Sequence, residues 1–138
     1  MGRVINPDAP GKSRNTQVKI ILFAIRELMQ QTKPDDTSKD LAAFIGLTLM
    51  DIYSSVDQSV VAWEKRGYWL KADRFRMEWE WTNPVGKELC DAVKNQDWGT
   101  IASRTAFVAQ KFSNTIIPKT NKMGPVWRGS YERLKHLN

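Results

Sequence analysis

Few side chains in this sequence are placed to do chemistry. His136 is the single histidine and Cys90 the single cysteine. A nucleophilic triad of the Ser–His or Cys–His kind would have to use His136. Zinc sites want several Cys or His ligands, and these two stand far apart in the chain. Cys90 falls inside a helical pattern and reads as a small buried hydrophobe rather than a nucleophile. Gly11, Lys12 and Ser13 match the end of a phosphate-binding loop. The position where that pattern needs its first glycine is Asn6, however, and only Val4 and Ile5 precede it as a strand.

Carboxylates are the remaining catalytic option. Glu88 and Asp91 stand three apart and share a helix face. Their spacing resembles the second half of the magnesium motif (Glu-x-x-Glu, later Glu-x-x-Asp) of the all-α nucleotide pyrophosphohydrolases of the MazG type. The first half is missing, because Glu78 and Glu80 are only two apart. That resemblance implies a small magnesium-dependent enzyme acting on nucleotides. The plainer reading is a solvated acidic helix face. No catalytic residue, metal ligand or cofactor is assigned, and a binding protein rather than an enzyme is expected.

Contact chemistry is better represented. The sequence holds six Trp, five of them between Trp63 and Trp98. Each can bury roughly 150–250 Å², so the middle of the chain holds a heavy core or an aromatic contact surface. Trp63 and Phe75 lie on helical stripes and read as core. Trp69 and Trp81, with Arg74 and Arg76 alongside, are the candidate partner-binding residues, because Trp and Arg are favoured interface anchors. Near the C-terminus Lys119, Lys122, Trp127, Arg128, Tyr131, Arg133 and Lys135 interleave bases with aromatics. Single-stranded nucleic acid is held by such phosphate pairing and stacking. Trp127, beside Gly124 and Pro125, equally fits an anchor that fixes an extended tail in a groove of the bundle, and this is the reading preferred.

Helices are what must position these groups. Val18, Ile21, Leu22, Ile25, Leu28 and Met29 recur at helical spacing, giving a helix over about 16–32 that ends at Lys33-Pro34. Thr37 and Asp40 look like an acidic capping box for a second helix. Its apolar positions run from Leu41 to Trp63, and Gly67 supplies its stop. Residues 74–81 alternate charged and apolar, the strand period. Their composition favours helix, and no second strand is available to pair with. Asn83-Pro84 opens a helix ending near Asn95, either separate or a kinked continuation. Asp97 caps the next, with Ile101, Thr105, Val108 and Phe112 as its core stripe.

These elements predict an all-α fold, a bundle of about four helices over 14–113. A flexible N-terminal arm over 1–13 and an irregular basic tail over 114–138, closing in a short helical turn, flank it. The size suits one core without staples. The net charge is +6, with basic ends and an acidic middle; the ends either fold back on the middle or meet a polyanion. No apolar run reaches the roughly 20 residues of a spanning helix. With one cysteine and no leader pattern the expected address is the cytoplasm. The function expected first is a helical interaction module that binds a protein partner or forms a homo-oligomer such as a dimer. A nucleic-acid-associated protein using the basic arm and tail comes second, and the magnesium-dependent enzyme third. No membrane partner is expected.

Overall fold

The structure, a computed structural model, describes residues 9–137. They form six helices: α1 (Ala9–Met29), α2 (Asp36–Lys65), α3 (Trp69–Trp79), α4 (Thr82–Lys94), α5 (Trp98–Lys111) and α6 (Ser130–Lys135). No strand occurs among the described residues. The all-α bundle expected from the sequence is the fold observed.

Helix α2 is the axis of the molecule. Its 30 residues span about 45 Å at roughly 1.5 Å per residue. It packs against α1, α3, α4 and α6, while α5 lies on α4. Leu41, Ala42, Ala43, Ile45, Leu49 and Ile52 have no exposed surface. The first half of α2 is therefore apolar nearly all round, as a helix covered on every side must be. Its tightest neighbour is α4. A Cβ added to Gly46 would lie 3.1 Å from the Gly86 carbonyl oxygen, and one added to Gly86 would lie 3.0 Å from that of Gly46. The two backbones meet at these glycines, and Leu49 and Leu89 fill the space beside them.

Several sequence expectations are corrected. Helix α1 spans Ala9–Met29, so residues 9–13, read as arm, are helical; residues 1–8 of that arm lie outside the described residues. Pro10 sits in the first turn, where its missing N–H would have no intrahelical partner anyway. The cap of α2 is Asp35, whose carboxylate accepts the Ser38 amide at 2.9 Å. Asp40 is not its capping-box partner and serves α6 instead.

The alternating segment is helical. Arg74–Trp79 belong to α3, and Glu80 and Trp81 keep right-handed helical dihedrals up to α4. Pro84 explains the break between the two helices. It has no N–H to donate, and its ring collides with the carbonyl of residue 80 in a continuous helix. The two are thus separate helices joined by the short Glu80-Trp81 link. Asp97 caps α5 as expected, accepting the Thr100 amide at 3.2 Å.

The tail is part of the bundle. Trp127 and Leu134 are buried in the core cluster. Arg26 on α1 donates to the carbonyls of Pro118 and Lys119 at 3.0 and 2.9 Å. Asp40 on α2 accepts the amides of Gly129 and Tyr131 at 3.1 and 2.9 Å, which caps α6 from a distant helix.

Candidate functional site: the aromatic corner between α2 and α3

The turn from α2 to α3 is fixed by its own backbone. Gly67 takes φ +82°. Its amide donates to the Glu64 carbonyl at 3.0 Å, and the Tyr68 amide to that of Trp63 at 2.9 Å. This is the paired closure of a Schellman motif, for which a left-handed glycine suits the position after the helix. Its consequence is that Tyr68, Trp69 and Leu70 arrive together at the corner. They are 55%, 62% and 64% exposed.

Beneath them lies an aromatic floor. Trp63 and Phe75 meet edge-on at 4.9 Å between ring centroids. The row continues through Trp79, Phe112, Trp81 and Phe107, each ring packed on the next. Arg14, buried between the helices, closes the row from behind, its guanidinium 4.9 Å from the centre of the Phe75 ring. The aromatic wealth of the middle of the chain is therefore mostly core edge, and Trp127 is buried too. Of the six Trp, Trp69 alone is more than half exposed.

The corner encloses a shallow cavity of about 550 Å³. Trp63 and Phe75 form its floor, Tyr68, Trp69 and Leu70 its walls, and Lys71, Arg74 and Glu78 its rim. The Lys71 ammonium sits 4.5 Å from the centre of the Trp63 ring, a cation–π placement. Lys65 and Arg66 are exposed just before Gly67. Neither a histidine, a cysteine nor a carboxylate pair lines the cavity. Such a lining can accept an apolar side chain and meet charge at the rim.

The candidate partner-binding residues divide. Trp69 and Arg74 both line the corner. Arg76 does not serve it, because it bonds Glu64 at 2.9 Å and Asp73 at 2.8 Å. Trp81 is half-buried against Phe107 and Phe112, at the far end of the aromatic row. Tyr68, Leu70 and Lys71 were not singled out from the sequence as contacts. The signal for Tyr68 and Leu70 is that they form, with Trp69, three large apolar residues in succession right after a helix-stopping glycine, since no helix can turn all three inward.

The candidate nucleic-acid residues divide as well. Trp127 is buried and acts as the anchor of the tail. Tyr131 is half-buried, with Lys39 and Lys135 over its ring at 5.4 and 4.9 Å. Arg133 faces Asp51 at 3.7 Å and Lys135 bonds Glu132 at 2.7 Å. Lys119, Lys122 and Arg128 are exposed and form no ion pair with another described residue.

The carboxylate pair on α4 gathers no third metal-ligating side chain among the described residues. Glu88 approaches Arg104 at 3.9 Å, and no group of three or more metal-ligating side chains occurs among the described residues. Burial pushes the Cys90 thiol up to about 11, so it is a poor nucleophile at neutral pH. A second apolar groove, of about 670 Å³, runs between α1 and α5 past Leu28, Met29, Trp98 and Ala106; Lys33 is its one charged lining residue. No helix among the described residues is long and apolar enough to cross a membrane. No family model, curated protein or solved structure matches this chain.

Proposed function

We propose that the protein is a non-enzymatic helical interaction module that docks a protein partner at the α2–α3 corner. The observation that carries this reading is the exposure of Tyr68, Trp69 and Leu70 over a recessed aromatic floor. Every other Trp in the chain is at least half-buried within the fold. Burying one such side chain is worth roughly 1.5–3 kcal/mol, and Trp and Tyr in recessed apolar settings are favoured binding anchors. The α1–α5 groove is larger but has little charge to select a partner.

Selection of peptides from a random display library on the full chain tests the reading. The expected result is a set of binders that lose their hold on a Trp69→Ala variant. No enrichment, or binders indifferent to that change, would contradict it. A mass that rises with concentration and reverts to that of one chain in Trp69→Ala would make the partner a second copy of this chain.

Nucleic-acid association keeps one supporting observation, the exposed Lys119, Lys122 and Arg128. It lacks a stacking platform beside them, since Trp127 is buried.

A further inference from the structure

The charge around the corner is one-sided. Glu64 and Asp73 both turn to Arg76, at 2.9 and 2.8 Å, which leaves Glu78 as the carboxylate on the cavity rim. Against it stand Lys65, Arg66, Lys71 and Arg74, all exposed and none ion-paired with another described residue. Lys71 is held over the Trp63 ring at 4.5 Å, so one positive charge is fixed at the edge of the apolar floor. A recess that takes an apolar side chain, rimmed by surplus cations, complements a negative segment built around one large apolar residue.

We infer that the partner presents an acidic, extended peptide segment, with one aromatic or large aliphatic side chain seated on Trp63 and Phe75. Its flanking carboxylates meet Lys71, Arg74, Lys65 and Arg66. This rests on the docking reading of the corner and adds the chemistry of what docks. Two other polyanions fit less well. A lipid surface is flat on this scale, whereas the floor of the corner is recessed behind Trp69 and Leu70. Single-stranded nucleic acid wants a continuous basic track. Beyond the corner the exposed bases are scattered: Lys19 and Lys111 line a separate cavity past the Glu78 carboxylate, and Lys119, Lys122 and Arg128 belong to the tail, which is tied to Arg26 and Asp40. Asp40 is roughly 37 Å from Lys65 along α2 at about 1.5 Å per residue.

Fluorescence polarisation on the full chain tests the inference. The probe is a labelled peptide with one phenylalanine between runs of glutamate. Controls carry alanine at the centre, or glutamine or lysine at the flanks; oligo(dT) and phosphatidylserine vesicles complete the set. The glutamate–phenylalanine peptide is expected to bind and to weaken as salt rises. It should lose about tenfold or more with the alanine centre, with Trp69→Ala and with Lys71→Glu plus Arg74→Glu. The neutralising pair Lys71→Gln and Arg74→Gln gives the same direction with less perturbation, and circular dichroism checks that each variant stays folded.

Equal binding of the glutamine- or lysine-flanked peptides, or indifference to charge reversal, overturns the acidic partner. If Trp69→Ala still abolishes that binding, the docking reading survives. Binding of vesicles or oligo(dT) that depends on Trp69, with no peptide bound, replaces the peptide by another occupant and overturns the inference. No Trp69-dependent binding of any probe overturns the inference and the docking reading together.

Discussion

Asp40 and Tyr131 are joined across 91 positions of sequence: the Asp40 carboxylate accepts the Tyr131 main-chain N–H at 2.9 Å. Its other oxygen takes the Gly129 amide at 3.1 Å. A side chain on the central helix thus supplies the N-terminal cap that the short α6 lacks locally. With Trp127 buried behind it, the tail becomes a wall of the bundle. Asp40→Ala should cost about 1 kcal/mol, the usual loss of a cap. Hydrogen exchange should show faster exchange at residues 129–134 and little change in α3. Unchanged exchange over 129–134 would contradict the assignment.

The α2–α4 crossing makes a sharper stability prediction. Alanine is the better helix former by about 1 kcal/mol. Yet a Cβ on Gly86 would lie 2.8 Å from Met50 Cγ and 3.0 Å from the Gly46 carbonyl oxygen. Crowding against backbone outweighs propensity, so Gly86→Ala and Gly46→Ala should each destabilise by roughly 1–3 kcal/mol. Gly99→Ala is the control, because its Cβ would meet only Asp97 Oδ1 at 3.7 Å. It should be neutral or stabilising in urea unfolding.

Gln96 offers a stabilising change. It follows the end of α4 at φ +53°, the one non-glycine residue with positive φ among those described. The Asp97 amide donates to the Ala92 carbonyl at 2.8 Å and the Gln96 amide to that of Val93 at 3.2 Å, the closure seen at Gly67. A left-handed residue with a Cβ costs roughly 1–2 kcal/mol. Gln96→Gly should therefore raise the thermal midpoint, with a gain of about 1 kcal/mol at most after glycine's entropy cost. A lower midpoint would contradict the strain assigned to this turn.

Two helix caps give a pH signature. Asp35 is held below the usual carboxylate range, first by the Ser38 amide. Asp97 is held below it by the Thr100 hydroxyl and then the Thr100 amide. A carboxylate depressed in the folded state contributes its full stability above its unfolded value, near 3.9. That contribution disappears as pH falls through the folded value. Asparagine caps about as well as aspartate. The Asp35→Asn, Asp97→Asn double variant should match the parent at pH 7 and lose stability less steeply below about pH 4. Parallel acid limbs in urea titrations would show that the caps do not titrate this way.

Most of the fold was legible because its determinants are local. Apolar spacing from Leu41 to Trp63, the glycine at 67 and the aspartate at 97 each act within a few residues of themselves. Asp40 was misread for the opposite reason: its partners are amides in the tail, and local spacing offered Thr37 instead. The helicity of residues 9–13 was hidden by Pro10, which breaks most elements but is tolerated in a first helical turn.

The corner was half legible. Trp69 and Trp81 look alike in sequence, each near a helix end with an arginine within five positions. What separates them is the end of α5, where Phe107 and the capping residue Phe112 pack on Trp81, leaving Trp69 outside the row. Such a tertiary placement is not written in the spacing of either residue. Arg76 was likewise indistinguishable from Arg74 until Glu64, on another helix, was seen to bond it.

The most direct test compares wild-type protein and Trp69→Ala, measuring peptide affinity and thermal midpoint on the same samples. With Trp69 at the surface for contact, affinity should fall about tenfold or more, while the midpoint stays within about 1 °C. Unchanged affinity, or a midpoint lowered by about 3 °C or more, the mark of roughly 1 kcal/mol lost in a chain of this size, would show that Trp69 serves the fold and that the corner is not where a partner docks.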